Sequence, residues 1–130
     1  MKLLELKLIN IGPYHNETIN FQTNRQKNIV LLCGENGAGK TTFLKAVKLG
    51  LFGGALYGFK QQSKSALYID EVKSIVRHNC KNGSIDITFS IIEDYKEVVY
   101  RIKRPWDVVP TFKEKIDLFI DEKKSMMMKW

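Results

Sequence analysis

The chemistry most directly legible in this sequence lies in Gly34-Glu35-Asn36-Gly37-Ala38-Gly39-Lys40-Thr41-Thr42. Gly34, Gly39, Lys40 and Thr41 satisfy the phosphate-binding pattern G-x-x-x-x-G-K-[ST]. A triphosphate is a dense anion, and backbone N–H groups turned into a ring are the least bulky donors that can surround it. Gly34, Gly37 and Gly39 allow the backbone to turn sharply and approach the phosphates with no Cβ in the way. Ala38 is small for the same reason. Lys40 would reach the β- and γ-phosphates as a point charge, and Thr41 would place its hydroxyl on Mg²⁺. Asn36 is a neutral donor near the γ-phosphate.

Such a loop needs a strand to deliver it and a helix to receive the anion. Asn28-Ile29-Val30-Leu31-Leu32-Cys33 is an apolar run of strand length, without alternation, as expected of a central strand covered on both faces. Phe43 to Leu51 reads as a helix with Phe43, Ala46, Val47, Gly50 and Leu51 as its core stripe, Lys45 and Lys48 facing away, and Gly53-Gly54 ending it. Its start offers unpaired N–H groups and the positive end of the helix dipole. A Gly-rich turn that fits by chance is the bland alternative, and the flanking elements argue against it.

The 130 residues are enough for one domain with a real core. No apolar run approaches a membrane span and the N-terminus lacks signal-peptide architecture, which makes the cytoplasm the expected location. Cys33 and Cys80 have no metal-ligand spacing; Cys33, at the end of the central strand, is expected to be a buried thiol. Lys and Arg number 21 against 14 Asp and Glu, a net of +7 that suits polyanionic partners, although a solvated basic surface explains it as well.

Elsewhere the periods are those of strands and one more helix. Lys2 to Asn10 alternates with Leu4, Leu6 and Leu8 on one side. Ile11-Gly12-Pro13-Tyr14-His15-Asn16 is a turn, and Thr18 to Phe21 pairs back as a hairpin. His15 reads as a solvated turn residue and Tyr14 as a packing residue, with a place near the nucleotide base as its alternative. Ala55 to Ser65 reads as a surface loop and Tyr68 to Asn79 as a helix. Ser84–Ile91, Glu97–Arg104 and Lys113–Asp121 follow as an antiparallel meander. Met126 to Trp130 closes no recognisable element. Leu118-Phe119-Ile120-Asp121-Glu122 has the look of the metal-site strand of a phosphate-loop ATPase. However, Asp117 breaks its apolar run and its alternation leaves one face wet, and Lys123-Lys124 directly after it suit a hairpin turn, so Asp121 and Glu122 do not read as catalytic residues.

The N-terminal strand, the Gly12-Pro13-Tyr14 turn, the phosphate loop and Ala46-Val47-Lys48-Leu49-Gly50-Leu51-Phe52-Gly53 resemble the amino-terminal lobe of SMC-like ABC-family ATPase heads. Through Gly12-Pro13-Tyr14, the helix end and Arg104-Pro105-Trp106, the sequence most resembles the DNA sulfur-modification ATPases of the DndD type. The resemblance implies an α/β fold, a mixed sheet carrying the Walker A helix plus an antiparallel β meander, with residues 1–130 forming one lobe. It implies MgATP held by Asn36, Lys40, Thr41 and Thr42 and sandwiched against a second head. It also implies a C-terminal lobe bearing the signature segment, the metal-site Asp and the catalytic Glu, with DNA as the object of the complete protein. No heptad run and no Ser-Gly-Gly occurs in the sequence, so the chain is expected to be an N-terminal portion that binds ATP without efficient turnover. Two other readings stay open. One is a small self-contained kinase or GTPase. The other is a nucleic-acid-binding β module built on Lys96, Arg101, Lys103 and Arg104 beside Tyr95, Tyr100 and Trp106.

Overall fold

A computed structural model of the chain describes residues 1–21, 23, 26–27, 29–31, 33, 39–57 and 62–129. Strands β1 (Lys2–Ile11) and β2 (Tyr14–Asn20) form a hairpin, followed by helix α1 (Lys40–Phe52), a 3₁₀ turn (Gly53–Tyr57) and helix α2 (Gln62–Ile75). Strands β3 (Asn82–Glu93), β4 (Lys96–Asp107), β5 (Lys113–Ile120) and β6 (Lys123–Lys129) then run as a meander. All six strands make one sheet in the order β2-β1-β3-β4-β5-β6, antiparallel at every pairing. The expected hairpin and meander are therefore halves of a single sheet, joined where Leu6 pairs with Ile87 and Leu8 with Ile85.

Alternation decides which face is buried. Leu6, Leu8, Ile85, Ile87 and Trp106 point to one side, where Phe43, Ala46 and Leu49 of α1 and Tyr68 and Val72 of α2 meet them. Phe21 closes the end of this layer, its ring 5.9 Å from that of Phe43. On the opposite face charges alternate: Arg101 donates from Nε to Asp86 at 2.8 Å, and Lys124 lies 3.2 Å from Asp117.

One polar cluster lies inside the apolar layer. Arg104 Nη1 donates to Glu114 Oε1 at 2.8 Å, the Tyr68 hydroxyl donates to the same oxygen at 2.6 Å, and Trp106 Nε1 donates to the Tyr68 oxygen at 3.2 Å. The Arg104 Nε and Nη2 face the Gly50 carbonyl at 3.4 and 3.5 Å, long contacts at the last turn of α1. Burial and then the Glu114 carboxylate push the Tyr68 phenol above its ordinary range, so it remains a donor.

Several boundaries differ from those the sequence suggests. Helix α2 begins within the polar Gln62-Ser63-Lys64-Ser65 tract, which was expected to be loop, and ends at Ile75 instead of Asn79. The tract contains no Gly or Pro, so its polarity does not stop a helix. At the other end the Ile75 carbonyl accepts the Gly12 N–H at 2.7 Å and Val76 bridges to Ile11, which takes the chain out of the helix. Strand β6 covers residues in which no element was expected; its Met and Lys run lacks alternation, and pairing with β5 defines it.

The central strand requires a correction. Within Asn28–Cys33, Asn28 and Leu32 lie outside the described residues, and Ile29, Val30, Leu31 and Cys33 lie outside any strand. Ile29 and Leu31 are 83% and 81% exposed, and Cys33 is exposed instead of buried. A lone extended segment has no ladder of hydrogen bonds, and the described strands give this run no pairing partner. No helix among the described residues is long and apolar enough to cross a membrane.

Gly50 marks the tightest contact between α1 and the sheet. A Cβ there would stand 2.7 Å from Cγ2 of Ile85. Gly50→Ala is therefore expected to lower the unfolding free energy by about 1–3 kcal/mol despite alanine's better helix propensity. Adding Ile85→Val should recover part of that loss, as read by urea denaturation. A stabilised single variant would show that the contact relaxes freely.

Candidate functional site

Of the loop residues singled out above, Gly34, Glu35, Asn36, Gly37 and Ala38 lie outside the described residues. Gly39, Lys40, Thr41 and Thr42 are placed at the start of α1, and the local chemistry explains why the helix begins there. Gly39 is its N-cap, in the left-handed region at φ 103°, and its carbonyl accepts the Phe43 N–H at 2.8 Å to open the helical ladder. No side chain caps the helix and no acidic residue occurs in its first turn. The amide N–H groups of this turn and the positive end of the dipole are thus not engaged by any carboxylate of the helix itself. Lys40 and Thr42 are half-buried, and Thr41 is exposed.

The Gly12-Pro13-Tyr14 turn holds this helix start from the other side. It is a two-residue hairpin connection with glycine first, at φ 52°. The Tyr14 hydroxyl donates to the Gly39 carbonyl at 3.1 Å, which assigns Tyr14 the expected packing role. Neither glycine could carry a Cβ. At Gly12 it would sit 2.6 Å from Thr42 Cγ2, and at Gly39 it would sit 2.7 Å from the Tyr14 oxygen and 2.8 Å from Pro13 Cγ. His15 is exposed, with its Nδ1 3.2 Å from Asn10 Oδ1.

Beyond Pro13 the surface opens into a groove of about 820 Å³. Gly12 and Pro13 form one wall, the end of α2 with Ser74, Val76 and Arg77 another, and Val108 and Val109 the floor side. That volume falls in the range of small-molecule sites. Lys73 and Arg77 give its lining a cationic character. Sequence reading did not find this groove, because its walls come from three separated segments; the signal available was the Gly-Pro turn alone.

The remaining candidates are placed elsewhere. Asp121 and Glu122 form the tight turn between β5 and β6, at φ 47° and 67°, both exposed. The Asp121 N–H donates to the Val99 carbonyl at 2.8 Å and its Oδ1 accepts the Val99 N–H at 3.0 Å, which ties the turn to β4. The basic-aromatic cluster proposed for nucleic acid is dispersed. Arg104 and Trp106 are in the core, Arg101 is committed to Asp86 and lies over the Phe119 ring, and Tyr100 stacks on Phe89. Among the described residues no group of His, Cys, Asp and Glu could hold a metal ion.

With this geometry in view, the comparisons with known proteins are consistent in direction. The sequence matches the family model described as an AAA domain over residues 5–127. It is 34% identical over 73 residues to a subunit of the nuclease SbcCD from Staphylococcus saprophyticus, covering 56% of this chain and 7% of that protein. It is 42% identical over 55 residues to the corresponding nuclease subunit from Staphylococcus aureus, covering 42% of this chain and 6% of that protein. The chain thus spans under a tenth of the length of the curated relatives it matches. Among solved structures it superposes on one described as the structural biochemistry of ATP-driven dimerization and DNA-stimulated activation of SMC ATPases. The TM-score is 0.56 at 18% identity, over 97% of this chain and 73% of that one, a likeness of fold.

The close approach at Gly39 supplies a test of the site's construction. Gly39→Ala places a Cβ against Tyr14 and Pro13 at a backbone angle that L-residues avoid, and is expected to cost about 1–3 kcal/mol of stability. Amide exchange should rise in the first turn of α1. An unchanged melting midpoint and unchanged exchange there would show that the turn and helix are not in contact.

Proposed function

The chain belongs to this family of AAA domains, and on that premise we propose that it is the ATP-binding lobe of an SMC-like ATPase acting in a DNA transaction. The observation that carries the reading is the start of α1. A G-x-x-x-x-G-K-T loop runs into a helix whose first turn has no carboxylate and no cap, beneath a turn that demands glycine on both sides. These residues fit a triphosphate and its metal ion.

Lys40 would hold the β- and γ-phosphates, and the N–H groups of the first turn would meet the same oxygens. Thr41, exposed at the helix start, would direct its hydroxyl to Mg²⁺, with Gly34, Asn36, Gly37, Ala38 and Thr42 completing the cradle. Bound MgATP supplies the negative charge that a facing head would recognise. The groove beyond Pro13 is the neighbouring concavity of nucleoside size, so the base and ribose are assigned to it.

Hydrolysis is assigned to the complete protein, where a C-terminal lobe and a second head would contribute the metal-site carboxylate and the signature segment. The candidate carboxylates of this sequence, Asp121 and Glu122, are occupied in making a turn, which supports binding over turnover for this lobe alone. The matches to a nuclease subunit favour DNA repair over sulfur modification. The narrower likeness to sulfur-modification ATPases draws on Arg104 and Trp106, whose burial packing already explains.

Lys40→Ala is expected to weaken MgATP binding roughly ten- to hundredfold, the loss of a charge-assisted contact, with the melting curve unchanged. Thr41→Ala should abolish the dependence of ATP affinity on Mg²⁺. Both are read by titration calorimetry. Wild-type affinity in Lys40→Ala would remove the loop from the site, and steady hydrolysis lost in Asp121→Asn would show that the lobe is a self-contained enzyme.

A further inference from the structure

The buried cluster of Arg104, Glu114, Tyr68 and Trp106 is not accounted for by stability. Glu114 is 3% exposed and accepts two donors on Oε1, yet Oε2 has no partner. A half-satisfied buried carboxylate costs free energy that an apolar pair of similar size would not. What the cluster does achieve is a fixed placement. It joins the last turn of α1, through Gly50, to the middle of α2, through Tyr68, by way of two sheet strands. Gly53 is required for the same closeness, since a Cβ there would overlap the Arg104 guanidinium.

The two helices need such a tie. Among the described residues the ion pair that links them is the exposed one between Lys45 and Glu71 at 3.2 Å; otherwise their apolar residues share the core and both rest on the intervening 3₁₀ turn. Exposed pairs of this kind hold little. Yet the start of α1 and the end of α2 must be correctly spaced, because Lys40 belongs to one and Ser74, beside Arg77, to the other. The Gly12 turn spans the gap, touching Thr42 and donating to Ile75.

We infer that Arg104, Glu114 and Tyr68 are positioning residues for nucleotide recognition, fixing α2 relative to α1 so that one ligand can occupy the phosphate cradle and the groove at once. This rests on the nucleotide reading above and adds to it. A ligand that uses only the cradle is indifferent to the cluster, whereas one that also uses the groove depends on it. The cluster itself touches neither.

The experiment compares MgATP with magnesium tripolyphosphate, which has the phosphates and no nucleoside, on the whole chain. Wild type is expected to prefer ATP. In Tyr68→Phe that preference should shrink by roughly fivefold or more, the scale of one or two lost polar contacts, with tripolyphosphate affinity unchanged. Arg104→Met combined with Glu114→Leu removes the ion pair without leaving a lone charge. It should melt close to wild type and show the same loss of preference. A merely structural role would weaken both ligands together, or neither. Folded variants that keep the wild-type preference overturn the inference and leave the nucleotide reading intact. A wild-type chain that binds neither ligand overturns both. If the double variant does not fold, Tyr68→Phe, which removes a single oxygen, decides the matter.

Discussion

The fold depends on a contact in which two segments each set a glycine against the other's side chains. Gly12 in the first hairpin lies against Thr42, and Gly39 at the helix start lies against Tyr14 and Pro13. Each glycine sits at positive φ, where an L-residue would be strained even with space to spare. The contact couples the edge hairpin of the sheet to the first turn of α1, and hence the structural half of the lobe to its candidate ligand site. It also explains why the helix opens on a glycine that caps nothing. Geometry, not a capping hydroxyl, fixes its beginning, and no side chain among the described residues caps the amide donors there.

From that contact the remaining architecture distributes the load. The Gly12 N–H draws the end of α2 to the same turn through Ile75, and Arg77 donates its N–H to Asn10. Residues around the groove are therefore placed by the backbone of the first hairpin. At the opposite end of the helices the Arg104–Glu114 pair performs the corresponding task with side chains. The apolar layer between them supplies the stabilisation, and the two polar connections supply the spacing. Their cost explains why the polar connections are confined to places where position matters.

The outer face of the sheet shows the opposite use of charge. Asp86 with Arg101, and Asp117 with Lys124, stand across neighbouring strands as opposite-sign pairs, and Lys115 approaches Asp117 along β5. Such pairs contribute modestly and define register. These pairs are neutral and leave the net charge of +7 as it is, but they engage Arg101, Lys115 and Lys124 within the sheet. The same arrangement accounts for the basic-aromatic cluster around Tyr100 and Trp106 dissolving once strand polarity and register assign its members to different faces.

The local pattern of residues determined a good deal. Alternation marked β1, β3, β4 and β5, the Gly-Pro turn marked the first hairpin, helical spacing marked α1, and the Gly-Lys-Thr motif marked the candidate site; these are properties of adjacent residues, set by period and by backbone freedom. What the tertiary structure alone decided is everything that needs a partner distant in sequence. Strand β6 exists because β5 is beside it. The Ile29–Leu31 run forms no strand, and none of the described strands pairs with it. Helix α2 ends at Ile75 because a turn more than sixty residues earlier claims that carbonyl. Arg104 and Trp106 looked like surface chemistry and proved to be core, since a strand's period says which residues share a face but not which face is covered.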